Sequence, residues 1–404
     1  MSGPGAGKPG DWDAKTLLAH AGRAPGDNHG VVNPPVYHAS TIVYPTLAAL
    51  EEADHTPFQG TRYGRRGTPT TFALEEAVAA LEGGYRAIAV SSGLVAITTT
   101  LLAFLKTGDH LLMVDTVYAP VRRFCDTVLK GLGIHTTYYD PVADVAPLLR
   151  PDTRVVYLES PGSLTFEVQD VGRIAAAARA HGAVSVVDNT WAAGLLFQPL
   201  SHGADVSIQA ATKYIVGHSD AMLGVIVTNE ASFLRVRRAA ALLGVGVGPD
   251  DCYLGLRGLR TLAVRLARHA ESALALADWL GRRPEVARVL HPALPSCPGH
   301  QIFARDFAGG NGLVSVVLHP VDRTALAAML DGMRFFALGY SWGGYESLII
   351  PFDPRPARTA TRWPDTGPCL RLHIGLESKH QLIADLEAGF SRLSAAAGAS
   401  TTGR

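Results

Sequence analysis

VSVVDNTWAAGLLFQPLSHGADVSIQAATKY, residues 184–214, opens on an apolar run that ends in an acid, Val184 to Asp188, and closes on Lys213 beside Thr212. A short apolar run bounded by polar residues reads as a strand buried on both faces. Leu111-Leu112-Met113-Val114-Asp115 and Val155-Val156-Tyr157-Leu158 are runs of the same kind, and helical stretches separate all three. Further upstream the pattern already alternates. An Ala/Glu-rich helix runs from Phe72 to Leu81 and stops at Gly83-Gly84, Ala87-Ile88-Ala89-Val90 follows as a strand, and a second helix reaches about Leu105 before the Gly108-Asp109 turn. Strands alternating with helices predict a doubly wound α/β domain with a mostly parallel sheet. Such sheets bind ligands at the carboxyl ends of their strands, where Ser91-Ser92-Gly93, Asp115, Glu159-Ser160 and Asp188 all fall.

The character changes after about Gly258. A long Ala/Leu/Arg-rich helical stretch continues through Trp279-Leu280, and strands at about Leu313 to Leu318 and Leu370 to Ile374 are each followed by a helix, which predicts a smaller C-terminal α/β domain. At 404 residues the chain exceeds the ~250–300 at which one core stops growing, so two domains are expected. The boundaries read 1–66 for a disordered tail (Met1 to Gly10) and an arm, 67–258 for the large domain and 259–404 for the small one. The arm has no strong period, Asn33-Pro34-Pro35-Val36-Tyr37 reads as extended chain, and an arm of that kind needs a neighbour to lie on.

Composition excludes several functions. Lys plus Arg number 36 against 36 Asp plus Glu, so no global field attracts nucleic acid or an anionic membrane. Cys125, Cys252, Cys297 and Cys369 are scattered without a CxxC pair or Cys/His spacing, which signals neither a disulfide framework nor a metal site and fits a reducing cytoplasm. The long uncharged stretch from Ala87 to Leu105 is broken by Ser91, Ser92, Gly93 and Thr98 to Thr100, so no membrane span is expected. Nothing near the N-terminus has the apolar core of a secretory signal. Function must therefore reside in a local site.

Asp188 and Lys213 define that site. Taken singly, one is an ordinary strand-end cap and the other an ordinary loop lysine. Together, near two strand ends, they are what pyridoxal 5′-phosphate requires: an amine to hold the aldehyde carbon and a carboxylate to keep the pyridine nitrogen protonated. Ser91-Ser92-Gly93-Leu94 passes from strand to helix, so free amides and a positive dipole end are available for a phosphate, although an ordinary turn reads the same way. Tyr63-Gly64-Arg65-Arg66-Gly67 offers a phenol and a guanidinium for phosphate oxygens, or a solvated basic turn. Tyr118, just past Asp115, is placed either to stack on a flat ring or to pack a helix. Arg371 is a charge inside an apolar strand, where it needs an anion; a substrate carboxylate or a structural salt bridge would serve.

These motifs resemble the cystathionine γ-synthase/β-lyase family of fold-type I pyridoxal-phosphate enzymes of Cys/Met metabolism, over about Thr16 to Leu393. Tyr63-Gly64-Arg65-Arg66-Gly67-Thr68, Glu159-Ser160-Pro161-Gly162-Ser163, Asp188 to Gly194, Ala211-Thr212-Lys213-Tyr214, Gly339 to Ser347 and Arg371 to Glu377 carry the resemblance. It implies a fold-type I α/β architecture and a role for each residue. Lys213 would be the Schiff-base lysine and acid/base, Asp188 the partner of the ring nitrogen, and Tyr118 the stacking ring that assists proton transfer. The amides of Gly93 and Leu94 with the Thr212 hydroxyl would hold the phosphate, reached by Tyr63 and Arg65 from a neighbouring subunit. Arg371 would take the substrate carboxylate, with Tyr340, Ser341 and Trp342 lining the pocket. The implied assembly is a homo-oligomer, a dimer with shared sites that pairs into a tetramer.

Two departures bear on the branch. Many relatives carry a second serine where this chain has Ala210, which removes one phosphate hydroxyl. The γ-acting branches often read Ser-Pro-Thr-Asn-Pro where this chain has Ser160-Pro161-Gly162-Ser163-Leu164, and the missing asparagine favours β-elimination of L-cystathionine to homocysteine, pyruvate and ammonia, a step of methionine biosynthesis. A γ-lyase, a γ-synthase or a cysteine-conjugate lyase shares every cofactor residue and stays open, as does a non-catalytic protein of this fold. Gly339-Tyr340-Ser341-Trp342-Gly343 also fits the GxSxG elbow of a serine hydrolase, with Asp353 or Asp365 and His373 or His380 following in order, but Ser347-Leu348-Ile349-Ile350-Pro351 reads as extended chain where that elbow needs a helix.

Overall fold

A computed structural model describes residues 12–56 and 58–402; the tail expected over Met1 to Gly10 lies outside the described residues. The large sheet has seven strands: β1 (Arg86–Val90), β2 (His110–Val114), β3 (His135–Tyr139), β4 (Thr153–Glu159), β5 (Val184–Asp188), β6 (Val206–Gln209) and β7 (Gly224–Thr228). Their spatial order is β1-β7-β6-β5-β4-β2-β3, with β7 antiparallel to both neighbours and every other pair parallel. Every residue of β2 is buried, as a strand covered by helices on both faces must be. Truncating such a leucine to alanine costs about 2–5 kcal/mol, so β2, β4 and β5 set the frame on which the site is mounted.

The smaller sheet has five strands: β8 (Val286–Leu290), β9 (Leu313–Leu318), β10 (Ala337–Leu338), β11 (Leu348–Phe352) and β12 (Cys369–His373), in the order β10-β11-β12-β9-β8. Only β10 and β11 are parallel. Pro351 is tolerated in β11 because β10 reaches only Leu348 and Ile349, which leaves no ladder bond for the missing N–H on that side. A separate core packs one face of this sheet against helix Leu262–Leu280 and the C-terminal helix Lys379–Thr402, while Leu313, Val317 and Cys369 on the other face join the core of the large sheet.

Some elements differ from the sequence reading. The first large-domain helix begins at Pro69 rather than Phe72, because Thr68 caps it and proline suits a first helical turn. The arm is not wholly extended. Asp13 caps a helix over Ala14–His20 whose Leu17 and Leu18 are buried, and Thr46 caps another over Leu47–His55. Between them residues 31–45 form neither helix nor sheet apart from the bridge of Thr41 to Tyr63.

Candidate active site

The parallel strands of the large sheet finish along one edge, and the side chains at their ends form one wall of the site. Asp188 closes β5 directly beside Glu159, its register partner at the end of β4. The Asp188 carboxylate accepts the amide of Thr190 at 3.0 Å. Burial pushes its pKa up, opposed by hydrogen bonds from Thr190, the Lys213 charge and the Tyr157 hydroxyl, all of which favour the anion. Glu159 is held far above the usual carboxylate range by burial and then by the Asp188 charge, and its Oε2 accepts the backbone N–H of Tyr118 at 2.7 Å. That bond fixes the turn after Asp115. Burial, with Glu159 and Asp188 as neighbours, also raises the Tyr118 phenol, which keeps it protonated.

Lys213 lies in a tight turn after β6. Its amide donates to Ala210 at 3.0 Å, while Thr212 is tied to Leu223 through its own N–H at 3.0 Å and by accepting the Leu223 N–H at 2.8 Å. The turn aims the lysine at the second wall, where Nζ donates to Ser341 Oγ at 2.6 Å and lies 5.1 Å from the centroid of Trp342. Burial, the Arg371 guanidinium and, against them, Asp188 bring this amine down to about 8. A lysine so placed is partly unprotonated near neutral pH, as a general base requires.

Arg371 stands in the middle of β12 and is only 5% exposed. Its Nη2 donates to the carbonyl of Ser341 at 2.8 Å, Nε has no partner, and among the described residues it makes no ion pair. Burial lowers its pKa to about 10. A buried guanidinium with an unfilled donor and no carboxylate partner can receive an external anion. The loop between the two groups turns at Ser341 (φ 75°) and Gly343 (φ 90°). A Cβ on Gly343 would stand 2.8 Å from the backbone of Lys213 and Tyr214, so only glycine lets the loop lie against the lysine.

An open helix N-terminus adjoins the lysine turn as well. Ser92 caps helix Gly93–Phe104 by accepting the Val95 amide at 3.2 Å, which leaves the Gly93 and Leu94 amides at the open positive end of the helix. A Cβ on Gly93 would meet Ala210 Cβ at 2.4 Å, so the glycine brings this helix end against the segment leading to Thr212 and Lys213.

The structure thus brings together Lys213, Asp188, Tyr118, Arg371, Ser341 and Trp342, with Gly93 and Leu94 at the adjoining helix end and Thr212 in the lysine turn. Tyr340 is 88% exposed. Tyr63 and Arg65 make their contacts elsewhere in the chain: Arg65 donates to the Ala241 carbonyl at 3.0 Å, and Tyr63 bridges to Thr41. The hydrolase alternative does not hold. Ser341 follows the two-residue β10 and leads into bends rather than a helix, and its hydroxyl faces Lys213. His373 is engaged with the Gly343 N–H at 3.0 Å and the Glu346 carbonyl at 3.0 Å. Sequence reasoning placed Glu159 at a strand end without a role; the available signal was a second carboxylate one strand from Asp188 in a parallel sheet.

The family model for Cys/Met metabolism PLP-dependent enzymes matches residues 15–391. Cystathionine beta-lyase MetC of Escherichia coli is 46% identical over 392 residues, which is 95% of this chain and 99% of the relative. Cystathionine beta-lyase of Salmonella typhimurium is also 46% identical, over 95% of this chain and 99% of the relative. Among solved structures, cystathionine gamma synthase from Xanthomonas oryzae pv. oryzae in complex with cystathionine superposes with a TM-score of 0.87 at 33% identity, covering 95% of this chain and 99% of that one. The chain belongs to the Cys/Met metabolism PLP-dependent enzymes.

Proposed function

We propose that this pyridoxal-phosphate enzyme cleaves the Cβ–S bond of L-cystathionine, taking up one water and releasing homocysteine, pyruvate and ammonia. The observation that carries the reading is Arg371: a buried guanidinium with an unfilled donor, joined through Ser341 to the lysine that must act on the same substrate. The cofactor fits the residues present, since the glycine-lined helix end admits a phosphate and a buried carboxylate faces the lysine. Lys213 would anchor it, Asp188 would meet its ring nitrogen, Tyr118 would lie against its ring, and Gly93, Leu94 and Thr212 would hold its phosphate. When bound, it supplies an electron sink that acidifies the substrate Cα–H.

The remaining chemistry belongs to side chains. Arg371 takes the substrate carboxylate and thereby sets Cα near Lys213, whose lowered pKa suits it to remove the Cα proton. Ser341 steers the amine, and the protonated Tyr118 phenol stands ready to give a proton to the departing sulfur. Trp342 and Tyr340 line the approach. The names of the relatives and the Gly162-Ser163 sequence, in place of an asparagine, support β- over γ-cleavage.

The arm is assigned to a second copy of the chain. It exposes Val43 (86%) and Leu47 (69%), apolar side chains that a partner would cover. Tyr63 and Arg65 would then reach the partner's phosphate in a dimer with shared sites, and dimers would pair into a tetramer in the cytoplasm. The deciding experiment is a product assay on L-cystathionine with added cofactor. Pyruvate and homocysteine in equal amounts are expected; 2-oxobutyrate and cysteine would make the protein a γ-lyase.

A further inference from the structure

The chain between β11 and β12, residues 353–368, leaves the small sheet, docks on the large domain and returns just ahead of Arg371. Asp115 is its anchor. This aspartate follows β2 at the site edge, and its side chain is wholly buried. Oδ1 accepts the amide of Thr359 at 3.0 Å and its hydroxyl at 3.1 Å; Oδ2 accepts the amides of Ala360 at 3.1 Å and Thr361 at 2.9 Å and the Thr361 hydroxyl at 2.8 Å. Arg122 completes the cluster, donating to Asp115 Oδ1 at 2.6 Å and to Thr359 Oγ1 at 3.2 Å while its guanidinium lies 3.5 Å from the centroid of Tyr138. Burial works against the Asp115 charge, but the Thr359, Thr361 and Arg122 donors outweigh it and hold the carboxyl below its ordinary range.

A second contact lies alongside. Arg358 pairs with Glu167 at 3.0 Å and also donates to Thr165, in the loop whose Ser163 amide bonds the Thr116 carbonyl at 2.9 Å. The far end of the strap is tied back to the small sheet by the Arg288–Asp365 ion pair, with Arg288 over Trp363. The strap therefore spans the two walls. One end is continuous with the strand bearing Arg371, and its middle is bound three residues from Tyr118.

We propose that Asp115 is a positioning residue for the amino-acid substrate: by clasping the 353–368 strap to the large domain, it fixes the gap between Arg371 and the Lys213–Tyr118 wall. The inference rests on the reading that Arg371 receives the substrate carboxylate. A loosened strap lowers the fraction of molecules whose two walls are correctly spaced, and apparent affinity falls by that fraction. None of the groups assigned to the cofactor belongs to the strap or to the wall that carries Arg371, so cofactor affinity should not follow.

The test uses the holoenzyme and Asp115→Asn, with Thr361→Val and Thr361→Ser as a milder pair that changes one hydroxyl donor and stays informative should the first variant fold poorly. Four quantities are read: amide hydrogen exchange of residues 353–368, affinity for L-alanine by absorbance titration, cofactor affinity by equilibrium dialysis, and KM against kcat. L-Alanine carries the carboxylate but no leaving group, so its binding is read independently of turnover. Asp115→Asn should speed exchange across 359–361 and weaken L-alanine binding and KM roughly tenfold, with cofactor affinity within about twofold. Thr361→Val should shift the same quantities about two- to threefold, and Thr361→Ser should restore them. Faster exchange with unchanged L-alanine affinity would leave the clasp a purely structural tie, and a parallel loss of cofactor would assign Asp115 to the wrong ligand; either overturns the proposal. Failure of the proposed reaction would show in the products of the unaltered protein, whereas failure of the clasp would show only in the variants.

Discussion

The two walls of the site are built by different means. On the large-domain side the groups stand where regular elements stop: Asp188 and Glu159 end adjacent parallel strands in register, and Gly93 and Leu94 open a helix. Backbone ladders place them. On the small-domain side only Arg371 belongs to a strand, and residues 339–347 form a loop with left-handed turns at Ser341 and Gly343. Side chains hold that loop: His373 accepts from Gly343, Glu377 takes the amide and hydroxyl of Ser347 at 2.9 and 2.8 Å, and Glu346 meets Ser219. A ladder-built wall suits a ligand that every turnover shares, and a side-chain-built wall suits the part that varies between substrates. Changes to the first should therefore cost the cofactor and changes to the second should cost the substrate.

The largest expected effect sits where the walls meet. Lys213→Ala should cut pyruvate release by at least ~10²–10⁴-fold, the value of a general acid/base alone. Asp188→Asn should weaken turnover severely through the ring nitrogen while leaving Arg371, and hence the carboxylate contact, in place. If Asp188→Asn instead raised KM and spared kcat, the division between the walls would fail.

A matched pair of glycines probes the division at intermediate size. Gly93→Ala drives a Cβ to 2.4 Å from Ala210, at the helix end proposed for the phosphate. Gly343→Ala drives one to 2.8 Å from the Lys213 backbone, at a position with φ 90°, which costs about 1–3 kcal/mol in backbone strain alone. Thermal unfolding should register both. Equilibrium dialysis should show lost cofactor affinity chiefly for Gly93→Ala, and steady-state kinetics should show the larger rise in KM for Gly343→Ala. The reverse pattern would mean that the loop, not the helix end, governs the cofactor.

The same contrast accounts for what could be read in the sequence. Asp188 and Lys213 were legible only as a pair, since each alone reads as an ordinary strand-end cap or loop lysine. Arg371 was legible as a charge inside an apolar strand, where it needs an anion. The edge strand His135–Tyr139 was not, since His-Thr-Thr-Tyr-Tyr has neither the apolar run of a central strand nor a clean alternation. The β7 strand was missed because, as an antiparallel insertion between β1 and β6, it lacks the preceding helix that marks its neighbours. The arm's helices escaped notice because each is under three turns long, and the second exposes Leu47 and Leu50. The Asp115 clasp joins residues far apart in the chain through backbone amides, which carry no sequence signature.

The smallest expected effect is at Ser341, where the small-domain wall touches the lysine through one hydroxyl. Its Oγ accepts from Lys213 Nζ at 2.6 Å, a bond that favours the charged amine. Burial and the Arg371 charge outweigh Asp188 and bring the amine down to about 8 in the cofactor-free protein. Removing the acceptor takes away one stabiliser of the ammonium, so Ser341→Ala should lower the lysine's pKa further rather than raise it. The check is amine-selective labelling of the cofactor-free protein across a pH series, read by mass spectrometry at Lys213. The neutral amine is the reactive form, so labelling should rise with pH through a midpoint near 8 in the unaltered protein and through a lower midpoint in Ser341→Ala, while exposed lysines still label near ~10.4. Turnover should fall only a few-fold, because Arg371 keeps its grip on the backbone carbonyl of residue 341, which the substitution does not remove. A midpoint that rose would show that the hydroxyl donates to a neutral lysine, and the small-domain wall would then be tuning the base in the opposite sense to the one its geometry implies.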